Sequence, residues 1–371
     1  MKTNRLQVFF HDQPVGTLAM TVNHKVAFEY SDEWLERGFP ISPFSLPLKK
    51  QVFIPKKNYF QGLFGVFADS LPDAWGKLLL HRLLRKNEID EGQINMLDRL
   101  AIVGEMGMGA LTYRPVIEVP GDVKATDLDY LEQECKKILQ TEYTPELDGL
   151  FRLGGTSGGA RPKILTEIDG EHWMIKFPSR GDDDHIGRME YAYSRCAKAC
   201  GILMCETKLF ASRQCDGYFG TKRFDRESGK RKHVLTAAAL LELDYEQPSL
   251  DYHTLMKLTK ILTGDHVEDL KQMFYLMCFN VFAHNRDDHA KNFSYIYQEK
   301  DDIWHLAPAY DLTYSNTYYG EHTTSVDGNG LNPGIKELVA VGTQAGLGKK
   351  WCEQKAYDIS DTVGQMLAEF L

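Results

Sequence analysis

Asp287, Asn292 and Asp311 are the residues whose types and spacing could do chemistry. Asp287 and Asn292 stand five positions apart in Asp287-Asp-His-Ala-Lys-Asn292, and Asp311 follows a strand-like stretch in Leu306-Ala-Pro-Ala-Tyr-Asp311. A carboxylate near an acceptor hydroxyl orients it and accepts its proton. Asn and Asp oxygens suit magnesium, a hard cation that keeps several waters and takes few protein ligands. An Asp, an Asn five on and a later Asp is the order protein kinases use for a catalytic carboxylate and two metal ligands. That order points to ATP-dependent phosphoryl transfer, against the alternative of a capped, solvated helix-to-strand turn. Asp288 adjoins Asp287 and competes for the base role, but the five-residue step to Asn292 favours Asp287. His289 reads equally as an orienting group and as a polar turn residue.

Two upstream segments could meet the nucleotide. Gly154-Gly-Thr-Ser-Gly-Gly-Ala-Arg-Pro-Lys163 includes Thr156, Ser157, Gly158 and Gly159, and its glycines open backbone N–H groups to a phosphate. It matches neither the Walker A pattern nor Gly-x-Gly-x-x-Gly, and taken alone it is as readily a flexible hairpin loop. Lys176 sits among apolar neighbours in Trp173-Met-Ile-Lys-Phe-Pro178. A lysine there needs an anion if buried, either Glu190 in the following helix or nucleotide phosphates; otherwise it snorkels to solvent.

These groups need elements to hold them. Residues 5–30 alternate as paired strands, with Leu6, Val8 and Phe10 on one face and Gln13-Pro-Val-Gly16 as the turn. The pattern turns helical from Phe60 to Leu84, with Asp69 or Ser70 as a cap and Pro72 in the first turn. Residues 114–125 read as a connector, and Leu128 to Gln140 as an amphipathic helix. Strands are predicted at Gly149–Leu153, Lys163–Ile168, Glu171–Phe177, Glu206–Phe210 and Gly217–Phe224, with an Asp169-Gly170 hairpin turn. A helix is predicted from Ile186 to Ala199, ended by Gly201, and another from His266 to Ala283 with an apolar stripe at spacings of three and four.

Bulk properties narrow the class. A chain of 371 residues with 43% hydrophobic and 26% charged residues reads as a soluble globular protein of two or three domains. No apolar run approaches a bilayer span, and the first residues lack a signal peptide's apolar stretch, so a cytoplasmic protein with no membrane partner is expected. Seven cysteines, without paired Cys-x-x-Cys spacing, read as free thiols. A net charge of −9 argues against nucleic acid as the main partner. The basic cluster Lys222, Arg223, Arg226, Lys230, Arg231 and Lys232 reads mostly as a solvated turn.

The chain resembles the HipA family of bacterial toxin kinases over nearly its whole length. The resemblance rests on Phe67-Ala-Asp-Ser-Leu-Pro-Asp73, Ile102–Tyr113, Gly158–Lys163, Ile175-Lys-Phe-Pro178, Lys222-Arg-Phe-Asp-Arg226, Asp287–Asn292 and Tyr310-Asp311. It implies an α+β, two-lobed protein-kinase-like fold preceded by an N-terminal α/β subdomain. The expected limits are 1–120 for the subdomain, 121–240 for the N-lobe and 241–371 for the mainly helical C-lobe.

It also implies a serine/threonine protein kinase using ATP and Mg2+, with Asp287 catalytic and Asn292 and Asp311 holding the metal. Thr156, Ser157, Gly158, Gly159, Lys176, Glu190, Lys222, Phe224, His289 and Lys291 would bind ATP, with the backbone of Lys222 and the ring of Phe224 at the adenine. Family members pair with a small DNA-binding antitoxin, HipB, which would make DNA an indirect partner, and known targets include aminoacyl-tRNA synthetases. Some autophosphorylate on a serine of the glycine loop; the candidates here are Thr156 and Ser157. The alternatives are a small-molecule kinase on the same fold and a non-catalytic, antitoxin-bound corepressor.

Overall fold

The computed structural model describes residues 3–119, 127–247, 249–317 and 319–371, so the expected connector lies outside the described residues from 120 onward. The chain forms two compact units. One comprises Met1–Gly187, Phe210–Leu235 and Ala239–Glu242; the other comprises Arg188–Leu209, Thr236–Ala238 and Leu243–Leu371.

The first unit opens with an antiparallel sheet in which Val26–Tyr30, Gln13–Met20, Arg5–Phe10 and Leu111–Arg114 lie side by side in that order. Leu6, Val8 and Phe10 are buried, as the alternation requires. The turn falls one step earlier than predicted. His11 and Asp12 take left-handed φ values of 45° and 64°, while Gln13–Gly16 already belongs to the strand. Pro14 fits there because the register shifts between Val8 and Phe9, at an irregularity that tolerates a missing N–H.

The helix expected around Pro72 runs from Ala74 to Lys86, with Asp73 at its cap position. Ser70 is not the cap. Its buried hydroxyl shares a 2.7 Å hydrogen bond with that of Tyr113, and Asp69 ends the short helix Gly65–Ala68.

Gly149–Leu153 is not a strand. It lies within the helix Leu147–Gly154, which buries Leu147, Leu150, Phe151 and Gly154. Those positions follow the helical spacing of three, four and seven, and a window that starts at Gly149 hides it. A second antiparallel sheet follows, joining Lys163–Ile168 to Glu171–Lys176 and then to Tyr218–Lys222. Asp169 and Gly170 both have positive φ, 53° and 77°, the sign a tight hairpin of right-twisted strands needs. One hydrophobic cluster joins Trp75 and Leu79 to Leu150, Phe151, Ile164 and Ile175, so the glycine loop is anchored in packed core at both ends.

The arginines of the basic cluster do not belong to a solvated turn, although Lys230 is exposed. Arg223 pairs with Asp225 through Nε and Nη2 at 2.8 and 2.7 Å, and Arg226 reaches the same carboxylate at 2.7 Å. Arg231 donates to the carbonyls of Glu105, Gly107 and Gly109. Asp225 is buried, which alone would raise its pKa, but the two arginine charges outweigh burial and hold its carboxyl well below the usual range. A short charged run gives no hint that a buried carboxylate lies inside it.

The second unit is mainly helical. Its helices include Tyr252–Leu262, Val267–Phe282, Ile335–Gln344 and Lys349–Met366, with a hairpin of Ser294–Gln298 and Ile303–Leu306. The predicted stripe of Val267–Phe282 is buried at Leu270, Met273, Phe274, Met277, Cys278 and Val281. The helix Ile186–Ala199 ends near Gly201, whose φ is 84°. Helices and mainly antiparallel sheets occur together in the chain, which is the α+β class expected. All seven cysteines are free. Among the described residues no helix is long and apolar enough to cross a membrane.

Candidate active site

The second unit carries the carboxylates. Helix Val267–Phe282 closes at Ala283, and His284 then takes a left-handed φ of 50° that turns the chain into the 285–292 segment. Asn292 ends a one-turn helix, Ala290–Asn292, capped by His289, whose Nδ1 accepts from the Lys291 N–H at 3.3 Å. Asn292 Nδ2 donates to the main-chain carbonyl of Asp287 at 2.7 Å. That bond ties the two ends of the five-residue step together.

Tyr310 fixes the approach to Asp311. Its hydroxyl donates to the Lys291 carbonyl at 2.5 Å and shares a 2.6 Å hydrogen bond with Ser294. Asp311 itself has φ 58°, a left-handed conformation that side-chain-bearing residues rarely hold. Tyr245 packs beside this segment, with the His289 ring 5.7 Å from its own and Lys291 Nζ 4.5 Å from its centroid.

Asp288 is fully buried and committed. One oxygen accepts from the Tyr252 hydroxyl at 2.9 Å and meets His322 Nδ1 at 3.2 Å; the other accepts from the Thr324 N–H at 3.0 Å. The Thr324 hydroxyl also donates to the Asp288 carbonyl. Asn280 links Tyr252 to Asn285 through bonds of 2.9 Å each. A saturated, buried carboxylate cannot reach an incoming hydroxyl, so Asp288 anchors the loop.

The first unit carries the glycine loop, which joins a helix to a strand rather than two strands. Thr156 and Ser157 are buried, and their hydroxyls donate to the carbonyls of Met106 at 2.8 Å and Gly154 at 2.6 Å. Gly159, with φ 84°, donates its N–H to a carboxylate oxygen of Asp73 at 3.4 Å, and Trp75 N–H returns to the Gly159 carbonyl at 3.1 Å. The Lys163 ammonium caps the Gly158 carbonyl. An N–H of this loop therefore already faces an anion.

Lys176 ends its strand opposite Lys163, is buried, and lies 5.7 Å from the Phe219 ring centroid. Lys222 pairs in register with Trp173, while its ammonium meets Glu171 at 2.6 Å; Phe224 is half-buried beyond it. Glu190 is buried on the helix Ile186–Ala199, in the part that belongs to the second unit.

Asp287, His289, Lys291, Asn292 and Asp311 thus come together in one segment of the second unit, and Thr156, Ser157, Gly158, Gly159, Lys176, Lys222 and Phe224 belong to the first. The donor set fits magnesium. With Nδ2 committed to Asp287, the Asn292 amide leaves its oxygen as the end for a cation, and this oxygen and the Asp311 carboxylate are the ligand type a hard cation takes. Sequence reasoning missed Asp73, Tyr252, Tyr310 and His322. Tyr310 adjoins Asp311 and had that much signal; His322 has none, because only the folded chain brings it to Asp288.

Comparison with known proteins completes the picture. Residues 155–368 match the HipA-like C-terminal domain and residues 6–114 the HipA N-terminal domain. The chain belongs to the HipA family. Two Sinorhizobium fredii relatives, the provisionally named kinases Y4mE and Y4dM, are 24% and 22% identical to it. The first match spans 100% of this chain and 93% of Y4mE; the second spans 88% of this chain and 81% of Y4dM. Among solved structures, HipA from the Shewanella oneidensis MR-1 complex of HipA, HipB and operator DNA superposes with a TM-score of 0.72 at 19% identity. That superposition covers 98% of this chain and 90% of the Shewanella one, so the two share a fold. The segment holding Asp287, Asn292 and Asp311 falls inside the matched C-terminal domain.

Proposed function

We propose that this HipA-family chain is an ATP- and magnesium-dependent serine/threonine protein kinase acting as the toxin of a toxin–antitoxin pair. The observation that carries the proposal is the 2.7 Å bond from Asn292 to the Asp287 carbonyl, in a loop whose other carboxylate, Asp288, is buried and saturated. Asp287 orients the acceptor hydroxyl and takes its proton. Asn292 and Asp311 hold magnesium, which when bound neutralises charge on the phosphates.

The N–H groups of Gly158 and Gly159 and the segment Thr156–Ser157 receive ATP phosphates, displacing the Asp73 contact, and Lys176 supplies a positive charge to them with Glu190 as its carboxylate partner. The Lys222 backbone and the Phe224 ring meet adenine, with His289 and Lys291 at the phosphate end. Since the Thr156 and Ser157 hydroxyls are buried and hydrogen-bonded, either would be phosphorylated only after the loop opens.

The names of the Sinorhizobium relatives support kinase activity, and the Shewanella complex supports a HipB-like DNA-binding antitoxin as partner. A net charge of −9 favours DNA contact through that partner rather than directly. The substrate is a protein hydroxyl, for which an aminoacyl-tRNA synthetase is a candidate.

Incubation with labelled ATP, magnesium and cell lysate tests the reading, followed by phosphosite mapping on the enzyme and the lysate proteins. Labelled serine or threonine on protein supports it. Label confined to metabolites would replace it with a small-molecule kinase, and failure to bind ATP–magnesium by calorimetry would leave a non-catalytic module.

A further inference from the structure

We infer that His266, Asp269 and His305 form a binding site for a zinc-class transition-metal ion, separate from the proposed magnesium ligands. Two imidazoles converge on one carboxylate oxygen. His266 Nδ1 and His305 Nδ1 each lie 2.8 Å from Asp269 Oδ2, and the three ligand atoms all lie within 4.8 Å of one another. The rings meet edge to face with centroids 5.2 Å apart.

The other carboxylate oxygen, Asp269 Oδ1, accepts from the Leu306 N–H at 3.1 Å, an outer contact that fixes the carboxylate's orientation. Asp269 is buried with a relative exposure of 8%, whereas the two histidine side chains are 49% and 30% exposed. A buried anion with two partly exposed imidazoles at its edge is a site an ion can enter from solvent. Two nitrogens and one carboxylate oxygen make three of the four ligands of a tetrahedral zinc centre, and water supplies the fourth.

The fit needs only a small adjustment. In a tetrahedron with bonds of about 2.1 Å, ligand atoms stand about 3.4 Å apart, so each ring withdraws by roughly half an ångström as the ion replaces the proton between nitrogen and oxygen. Nearby charges leave the site clear, since Asp265 and Glu268 pair with Lys260 and Lys271. Imidazole nitrogen selects zinc, nickel or cobalt over magnesium, which takes oxygen.

The position gives the ion a structural role. His266 is the N-cap residue of the helix Val267–Phe282, Asp269 lies in its first turn, and His305 lies on Ile303–Leu306. That helix ends five residues before Asp287, and that strand ends five residues before Asp311. An ion here clips together the two elements that deliver the candidate catalytic and metal-binding carboxylates.

The test uses the full chain after chelator treatment, titrated with Co2+ and then Zn2+. The inference expects one equivalent of cobalt with visible absorption of a tetrahedral centre, displacement by zinc, and a higher melting temperature with either ion. His266→Gln and His305→Gln each should weaken binding by at least the ~10–100-fold that loss of an outer-shell partner costs. Asp311→Ala should bind as the wild type does. No spectral change in the wild type overturns the inference, as does binding undiminished in both histidine variants. An intense near-ultraviolet thiolate–cobalt band would also overturn it by assigning the ion to cysteines. Should the variants fail to fold, zinc-edge X-ray absorption on the wild type decides: scattering from two imidazoles supports the site, and its lack overturns it.

Discussion

The Tyr252 hydroxyl donates to Asp288 at 2.9 Å, and neither residue has any surface exposed to solvent. Burial, and then the Asp288 charge, push the Tyr252 pKa far above its ordinary value, so the hydroxyl stays a proton donor at every working pH. This pair locks the segment that carries the proposed catalytic carboxylate.

Removing the lock should loosen both the fold and the loop. Tyr252→Phe leaves Asp288 and the Asn280 amide each without one partner, a loss of about 1–3 kcal/mol. Urea denaturation reads the stability change. Phosphoryl-transfer assays should show kcat falling more than KM for ATP rises, because Tyr252 touches neither nucleotide nor acceptor in the proposed reaction.

The neighbouring aspartates should separate activity from stability. Asp287→Ala should cut phosphoryl transfer by on the order of 10²–10⁴-fold with little change in melting temperature. Asp288→Ala should cost about 3–5 kcal/mol, since it strands buried Tyr252, His322 and Thr324 groups. Wild-type turnover in purified Asp287→Ala would sink the assignment of the base.

Two glycines should respond differently to the same substitution. A Cβ on Gly76 would lie 2.1 Å from the Gly155 carbonyl oxygen, which is main chain at the root of the glycine loop. Gly76→Ala should destabilise by about 1–3 kcal/mol and weaken ATP binding measured by calorimetry. Gly170 has φ 77° with nothing within 4 Å of the added atom. Gly170→Ala should cost only the left-handed strain of about 1–2 kcal/mol and leave ATP affinity unchanged.

His233 should make the protein acid-sensitive. It is buried, and its Nε2 lies 2.8 Å from the Ile41 carbonyl. Burial lowers its pKa from 6.5 to about 4, with the hydrogen bond acting in the opposite direction. The unfolded chain therefore binds a proton that the folded chain refuses. The stability is fully present above pH 6.5 and is lost as pH falls through that value towards about 4, a change of roughly 3 kcal/mol. Denaturant midpoints from pH 7 to pH 4 should show the fall, and His233→Gln should flatten that part of the profile.

The candidate site stands out in the sequence where its signal is local. Asp287, Asn292 and Asp311 are identified by spacing, and the apolar stripe of Val267–Phe282 has a helix's period over four turns. Short segments failed where a local signal admits two structures. Gly149–Leu153 is apolar enough for either element, and only Leu147, outside that window, completes the helical face. The predicted turn at Gln13–Gly16 overvalued Pro14, which an irregular strand accommodates. The arginine cluster was misread because burial is not local: Arg223 and Arg226 adjoin Asp225 in sequence, but the Gly109 N–H that also reaches Asp225 comes from more than a hundred residues away.

The saturation of Asp288 also limits what mutation can repair. An inactivated Asp287→Ala chain stands next to a second aspartate, yet that carboxylate is already held by Tyr252, His322 and Thr324. Freeing it would dissolve the loop it secures. In a genetic selection for regained activity, survivors should therefore be true revertants at position 287, and suppressors that recruit the adjacent acid should not arise.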